Sequence, residues 1–400
     1  MKKTLLKGAT LIDGNAGEPL ENAVMLIEGE RIKQIAREGE IQIEDEMEVV
    51  DLTGKTLMPG MINSHVHILM EPVGDPFSLM TTESATKTTL RGVANLEKHL
   101  KSGVTYFRDL GGYGHIDVEL KKAVDEGFIK GPEFLAAGKV IAMTGGHGWQ
   151  MGRECDGLEE VRKATREQLK AGVNVIKIMA TGGVMTAGVE PGSPQLTLEE
   201  MAVAVEEANK AGRRTATHAQ GTTGIKNAIL AGVNSVEHGI FLDDETIDLM
   251  VKRDVYLVPT LAAPHCIIEA GVEKGVPLQA VEKSKKIMGT HFESFRKARE
   301  AGVKIAMGTD AGTPFNLHDN TVLELKLMMD GGMTGMEAIQ SSTKTAAELL
   351  GIEENYGSLE AGKVADFIVL EENPLKNIEA LDKIEQVYKK GKRVTTTREA

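Results

Sequence analysis

Hydrophobic and polar positions along the chain fall into two rhythms. Towards both ends, short apolar runs alternate every second residue and stop at turn residues, as strands on a half-buried sheet do. Residues 4–12 run into Asp13-Gly14-Asn15, residues 23–27 meet Glu28-Gly29-Glu30-Arg31, and 32–35 and 47–51 follow with strand composition. Residues 365–370 and 384–388, with a turn at Lys390-Gly391-Lys392, supply similar material at the far end. The two ends are therefore expected to pair into one small discontinuous β-domain.

Between them, short apolar strands alternate with helical stretches. Strands are expected at 57–67, 104–109, 134–137, 173–179, 215–218, 235–238, 255–260 and 304–310. Several of the preceding helices close on a glycine, at Gly103, Gly172, Gly212, Gly232 and Gly302, where the left-handed conformation ends a helix. Eight such units, with no Gly-x-Gly-x-x-Gly after a first strand, predict an α/β chain whose centre is a (β/α)8 TIM barrel. The expected division is a small β-domain at 1–57, the barrel at 58–356, and the rest of the small domain, a β-sandwich, at 357–400.

Composition narrows the partners. A formal net charge of -13 with interspersed signs argues against nucleic acid or an anionic membrane surface. No run of eighteen apolar residues predicts a membrane span, and the opening residues are too interrupted for a signal peptide, so the cytoplasm is expected. Two cysteines, Cys155 and Cys266, form no framework and no Cys-x-x-Cys pair. Any metal must then be held by nitrogen and oxygen.

The candidate chemistry lies at strand ends. Residues 57–67 finish in His65-Val66-His67, and alternation puts both imidazoles on one side of a strand. Lys177 sits inside the fourth strand, His218 ends the fifth, His238 the sixth and Asp310 the eighth. Each has a bland alternative when taken singly: a snorkelling lysine, a satisfied core histidine, a helix cap. Together they converge on the C-terminal mouth of a barrel, where reactive groups gather. The apolar neighbours of Lys177 lower its pKa and favour a neutral amine, which reacts with carbon dioxide to a carbamate able to bridge two divalent ions.

With these residues the whole chain resembles the amidohydrolase superfamily, in its binuclear branch with a carboxylated lysine. Residues 357–366, Gly-Ser-Leu-Glu-Ala-Gly-Lys-Val-Ala-Asp, add to the likeness by returning the chain to the small sheet. The resemblance implies one ion on His65, His67, the Lys177 carbamate and Asp310, and a second on the carbamate, His218 and His238, zinc being the usual metal. It also implies hydrolysis of a carbon-nitrogen bond by a hydroxide bridging the ions, with Asp310 shuttling the proton to the leaving nitrogen.

Thr144-Gly145-Gly146-His147-Gly148 and residues 180–185 are similar to loops of the imidazolonepropionase-related branch that includes Xaa-Pro dipeptidases and carboxypeptidase-like enzymes. A dipeptide or N-acyl amino acid substrate is the resulting expectation, with His147 donating to its carboxylate. Some of those peptidases carry a tyrosine after the Pro-Thr of strand seven. Here Pro259-Thr260 leads to Leu261, and His265 is the candidate replacement. A homo-oligomer is expected. A cyclic amidohydrolase or a mononuclear deaminase is the alternative, although Lys177 is present and Ala219-Gln220-Gly221 follows His218 where a deaminase would place a catalytic Glu. A non-catalytic assembly protein fits least, since every ligand is present.

Overall fold

The computed structural model describes residues 2–42 and 44–394, so the outermost parts of the expected small domain, Met1 and 395–400, lie outside the described residues, as does Ile43. In chain order the strands are β1 (Lys3–Leu11), β2 (Leu20–Glu28), β3 (Arg31–Arg37), β4 (Glu48–Asp51), β5 (Thr56–Pro59), β6 (Met61–Val66), β7 (Val104–Asp109), β8 (Glu133–Ala136), β9 (Val140–Ala142) and β10 (Gly152–Glu154). They continue with β11 (Val175–Met179), β12 (Arg214–Ala219), β13 (Ser235–His238), β14 (Tyr256–Val258), β15 (Phe367–Leu370), β16 (Ile384–Lys389) and β17 (Lys392–Val394).

Both chain ends enter one sheet in the order β17-β16-β15-β5-β1-β2-β3, with β4 also beside β1. Alternation explains its two faces. Leu6, Met25, Ile27 and Leu57 share a core with Phe367 and Tyr388, whose rings stack with centroids 4.3 Å apart. Leu5, Val24 and Leu26 point to the other face, under Ile41 and Met47.

The middle of the chain alternates strand and helix and has two parallel sheets, β6-β7-β8 and β10-β9-β11-β12-β13-β14. The helix Leu158–Ala171 stops at Gly172 and the helix Thr222–Ala231 at Gly232, both glycines in the left-handed region at φ 93° and 95°. Helix Leu198–Lys210 begins with a reciprocal box in which Thr197 and Glu200 satisfy each other's backbone N–H.

Three expected strands differ. Residues 57–67 are not one strand: β5 pairs antiparallel with β15, β6 pairs parallel with β7, and Gly60 forms the joint. The third strand is divided into β8 and β9 around Gly138, at φ 66°, so that it joins β7 on one side and β11 on the other. Residues 304–310 form no strand. That segment makes single bridges, Ile305 with Leu257 and Ala311 with Val66, and Asp310 at φ 60° departs from strand geometry. It still bonds to both neighbours: Ser64 N–H donates to the Met307 carbonyl (2.8 Å), Asp310 N–H to that of His65 (2.8 Å), and Ala306 N–H to that of Leu257 (3.0 Å).

At Gly60 a Cβ would come within 2.2 Å of Thr105 Oγ1 and 2.3 Å of its Cγ2, so the joint between β5 and β6 has no room for a methyl group. Gly60→Ala is expected to lower unfolding stability in urea by about 1–3 kcal/mol, the usual cost of overpacking, and Thr105→Ala in the same chain to recover part of it, the Thr105 Cβ remaining close. Additive losses in the double variant would show that the clash is not the cause.

Candidate metal centre

Every residue of the expected ligand set lines one cavity. His65 lies near the end of β6 and His67 just beyond it. Lys177 is central in β11, His218 lies in β12 and His238 ends β13; Asp310 follows Gly308 in the irregular segment. All are buried. Three residues here hold left-handed backbone without being glycine: His238 (φ 72°), Thr260 (φ 52°) and Asp310 (φ 60°). Such conformations cost about 1–3 kcal/mol each and persist where surrounding contacts impose them, as they do at functional sites.

The imidazoles are set by what their second nitrogens touch. His65 Nδ1 is 2.9 Å from Glu237 Oε2, and His67 Nδ1 is 2.8 Å from the Gly111 carbonyl. A carboxylate and a carbonyl only accept, so both Nδ1 atoms carry a proton, and in the neutral rings both Nε2 atoms present lone pairs. Those atoms lie 3.3 Å and 3.2 Å from Asp310 Oδ1. Lone pairs aimed at a carboxylate oxygen repel it unless a cation sits among them. Likewise His218 Nε2 donates to the Gly182 carbonyl (3.2 Å), which frees Nδ1, and His238 Nδ1 meets Thr260 Oγ1 (2.7 Å), which turns Nε2 inward. One ligand atom each from His65, His238 and Asp310 falls within 4.8 Å of the others. This donor set of nitrogen and oxygen fits a divalent transition metal.

Charge supports the same centre. Burial raises the Asp310 pKa, but positive charge at the neighbouring His65 and His67, the place a bound cation would take, overrides it and holds the carboxyl well below its usual range. Burial pushes Lys177 down to about 8, against the pull of Glu237 and Asp310, so a minority of its amine, far larger than for a free lysine, is neutral near physiological pH.

Sequence reasoning did not find Arg108 and Glu237. The Arg108 guanidinium donates to the Ser64 carbonyl (2.7 Å), to Ser235 Oγ (3.1 Å) and to Glu237 Oε1 (2.9 Å), and both residues are fully buried. Burial alone would raise the Glu237 pKa, and Arg108 with His65 reverses this. Their one signal in the sequence is a charged residue one position before the end of each of two short strands, Arg108 before Asp109 in β7 and Glu237 before His238 in β13. Gln220, just past β12, also lines the cavity.

His147 lines the cavity as well. Its ring centroid is 4.3 Å from that of His218, its Nδ1 is 2.7 Å from Thr186 Oγ1, and burial lowers its pKa to about 4, so the ring is neutral. His265 is placed differently: it is half-buried on the helix Ala262–Ala270, and the residues of that helix facing the cavity are Ala263, Pro264 and Ile267.

An α/β chain with this buried centre at its strand ends is a metal-dependent hydrolase of amide or peptide bonds. Residues 56–394 match the Amidohydrolase family, to which the chain belongs. It is 34% identical over 429 residues to the ochratoxinase of Aspergillus niger, covering 98% of this chain and 86% of that one. A crystal structure of a Xaa-Pro dipeptidase with bound methionine is 35% identical, covers 99% of this chain and 100% of its own, and superposes with a TM-score of 0.92. A prolidase complexed with N-methylphosphonate-L-proline is 29% identical over 98% of this chain and 100% of its own, with a TM-score of 0.91.

Replacing Glu237 by Gln removes the charge that orients His65 and should weaken divalent-ion binding by about ten- to a hundredfold in competition with a chelator. Arg108→Met strands Glu237 as an unpaired buried charge and should cost about 3–5 kcal/mol of stability towards urea. Unchanged metal affinity in the Gln variant would remove Glu237 from the centre.

Proposed function

We propose that this protein hydrolyses the amide bond of a dipeptide or N-acyl amino acid, and that the convergent lone pairs of His65, His67, His218 and His238 with Asp310 and Lys177 hold two divalent ions, zinc being the expected metal. The observation that carries this reading is the geometry around Asp310 Oδ1, where two imidazole Nε2 atoms converge at 3.2–3.3 Å, an arrangement that calls for positive charge among them. His65, His67 and Asp310 would hold one ion and His218 and His238 the other, with Lys177 shared as its carbamate. Bound ions supply an activated water and a polarised carbonyl.

The chain's own groups do the rest. Lys177 Nζ, neutral in part, bonds to the carbon of carbon dioxide and releases a proton, giving the anion that the metal pair needs. Asp310, held ionised, takes the proton of the attacking water on a carboxylate oxygen and returns it to the leaving nitrogen. When the Thr186 hydroxyl donates to His147 Nδ1, the ring offers Nε2–H to a substrate oxygen, for which the substrate's free carboxylate is the proposed partner. The surrounding wall is apolar, with Phe77, Met151, Met185, Ile240, Ile267 and Ile287, and suits apolar groups on both sides of the scissile bond. The relatives named as ochratoxinase, Xaa-Pro dipeptidase and prolidase support the same class. Ala219-Gln220-Gly221 after His218 speaks against a deaminase, because none of these residues can take up and release a proton as a catalytic Glu does.

The reading extends to the architecture. The two parallel sheets close into a (β/α)8 barrel through residues 304–311, supported by their bonds to β6 and β14, and the ends, 1–57 with 357–400, form a separate β-sandwich domain. No helix among the described residues is long and apolar enough to cross a membrane. A cytoplasmic setting is supported by two buried, unpaired cysteines, and a homo-oligomer is part of the same proposal.

Metal analysis of the purified protein, followed by a screen of dipeptides and N-acyl amino acids, tests the proposal directly. Near two equivalents of metal and hydrolysis of at least one such substrate are expected; one equivalent with ammonia release would turn the assignment to a deaminase. Lys177→Ala should abolish activity, and added formate or acetate should restore part of it by standing in for the carbamate. Full activity without rescue would end the carbamate argument. His147→Ala should lower kcat/KM by about ten- to a hundredfold on substrates with a free carboxylate, as loss of a hydrogen bond to a charged group does, and much less on their amides. Equal losses would move His147 to the scissile carbonyl.

A further inference from the structure

One wall of the cavity is built from a stretch that the reaction leaves unexplained. Between the bridge pair Thr181 and Pro194 the chain has neither helix nor strand. It doubles back after β11: Gly182 N–H donates to the Ser193 carbonyl (2.9 Å) and Gln195 N–H to that of Ala180 (2.9 Å). Val184 and Met185 face the cavity.

This stretch fixes His147 in three ways. Thr186 Oγ1 holds Nδ1, Gln195 Oε1 accepts the His147 N–H (3.0 Å), and Gly183 lies so close to the ring that a Cβ there would approach Cε1 and Nε2 to 2.6 Å. The helix Leu278–Glu300, whose Ala280 and Val281 belong to the apolar cluster against which Val184 and Met185 pack, sends Lys283 to the same stretch. Its ammonium donates to the Thr186 carbonyl (3.1 Å) and to the Val189 carbonyl (2.5 Å). Four residues along that helix Ile287 lines the cavity, so the element that anchors the wall also forms part of it.

We propose that Lys283 is a positioning residue: it draws the turn at 186–189 onto the helix and, through the Thr186 hydroxyl, sets His147 for substrate. A half-buried ammonium bonded to two carbonyls is a charge-assisted clamp on a segment with little regular structure. Losing it frees the wall, and binding must then order the segment before His147 can meet the substrate. The kinetic part rests on His147 acting as a substrate residue; the clamp itself does not.

Three variants of the full chain test it: Lys283→Met, Lys283→Arg and Thr186→Val. Hydrogen exchange is followed by mass spectrometry in peptides covering 182–195, with β12 peptides as the internal reference. In Lys283→Met, exchange at 182–195 should rise about tenfold or more with β12 unchanged, and KM should rise about tenfold while kcat changes less than about threefold. Lys283→Arg, which keeps the donors, should recover most of both. Thr186→Val leaves the backbone clamp intact, so exchange should stay as in the parent while kcat/KM falls. Unchanged exchange in Lys283→Met, or equal behaviour of the Met and Arg variants, overturns the clamp. An unaltered kcat/KM in Thr186→Val overturns its link to His147. Should the parent enzyme cleave no dipeptide or N-acyl amino acid, the substrate assignment fails while the exchange comparison still decides the clamp.

Discussion

The buried pair of Arg108 and Glu237 is the interaction on which the site depends. It joins β7 to β13 and, through the Ser64 carbonyl and His65, both to β6. Two charges in a protein interior are costly unless each is fully bonded, and this pair meets that condition: Arg108 reaches three acceptors, and both Glu237 oxygens are engaged. A well-packed apolar replacement would be as stable by that reasoning. It would leave His65 without a defined proton, and a histidine whose tautomer is not fixed is a poor metal ligand.

Much of the centre was legible in the sequence because it lies where strands end. Strand alternation pointed to His65 and His67 as a pair, and an amine amid Val175, Ile176, Ile178 and Met179 marked Lys177. The structure brings both to one cavity with His218, His238 and Asp310. Arg108 and Glu237 were not legible, since each is ordinary until the other is known and 129 residues separate them. His265 shows the limit of reading along a line: Pro264 and Ile267 face the cavity, three residues apart on one helix face, and the residue after Pro264 is turned about 100° away from it.

The fold was legible by its rhythms and less so at its joints. Residues 304–310 have the composition of a buried strand, yet a Cβ on Gly308 would meet Val258 and His65, and Asp310 turns left-handed. Hydrogen bonds to both sides keep the segment in place, and its departure from strand geometry lets the Asp310 carboxylate approach two histidines. The same holds at His238. Alternation sends Glu237 and His238 to opposite faces of β13, but with φ at 72° the chain leaves the strand there, and both side chains serve the centre.

The sheet shared by the two chain ends has a consequence for synthesis. Leu57 on β5 pairs with Val369 on β15, so the edge of β5 finds its partner only after almost the whole chain has been made. Until then the ribosome presents an incomplete sheet whose apolar side chains, Leu6, Met25 and Ile27 among them, await Phe367 and Tyr388. Contacts this far apart in sequence close slowly, and an unpaired edge invites other chains. The catalytic middle of the protein is made while that edge is still open, and the sheet is closed by β15 and β16. A nascent chain of this design spends most of its synthesis with that edge open, which is when a cell's chaperones would meet it.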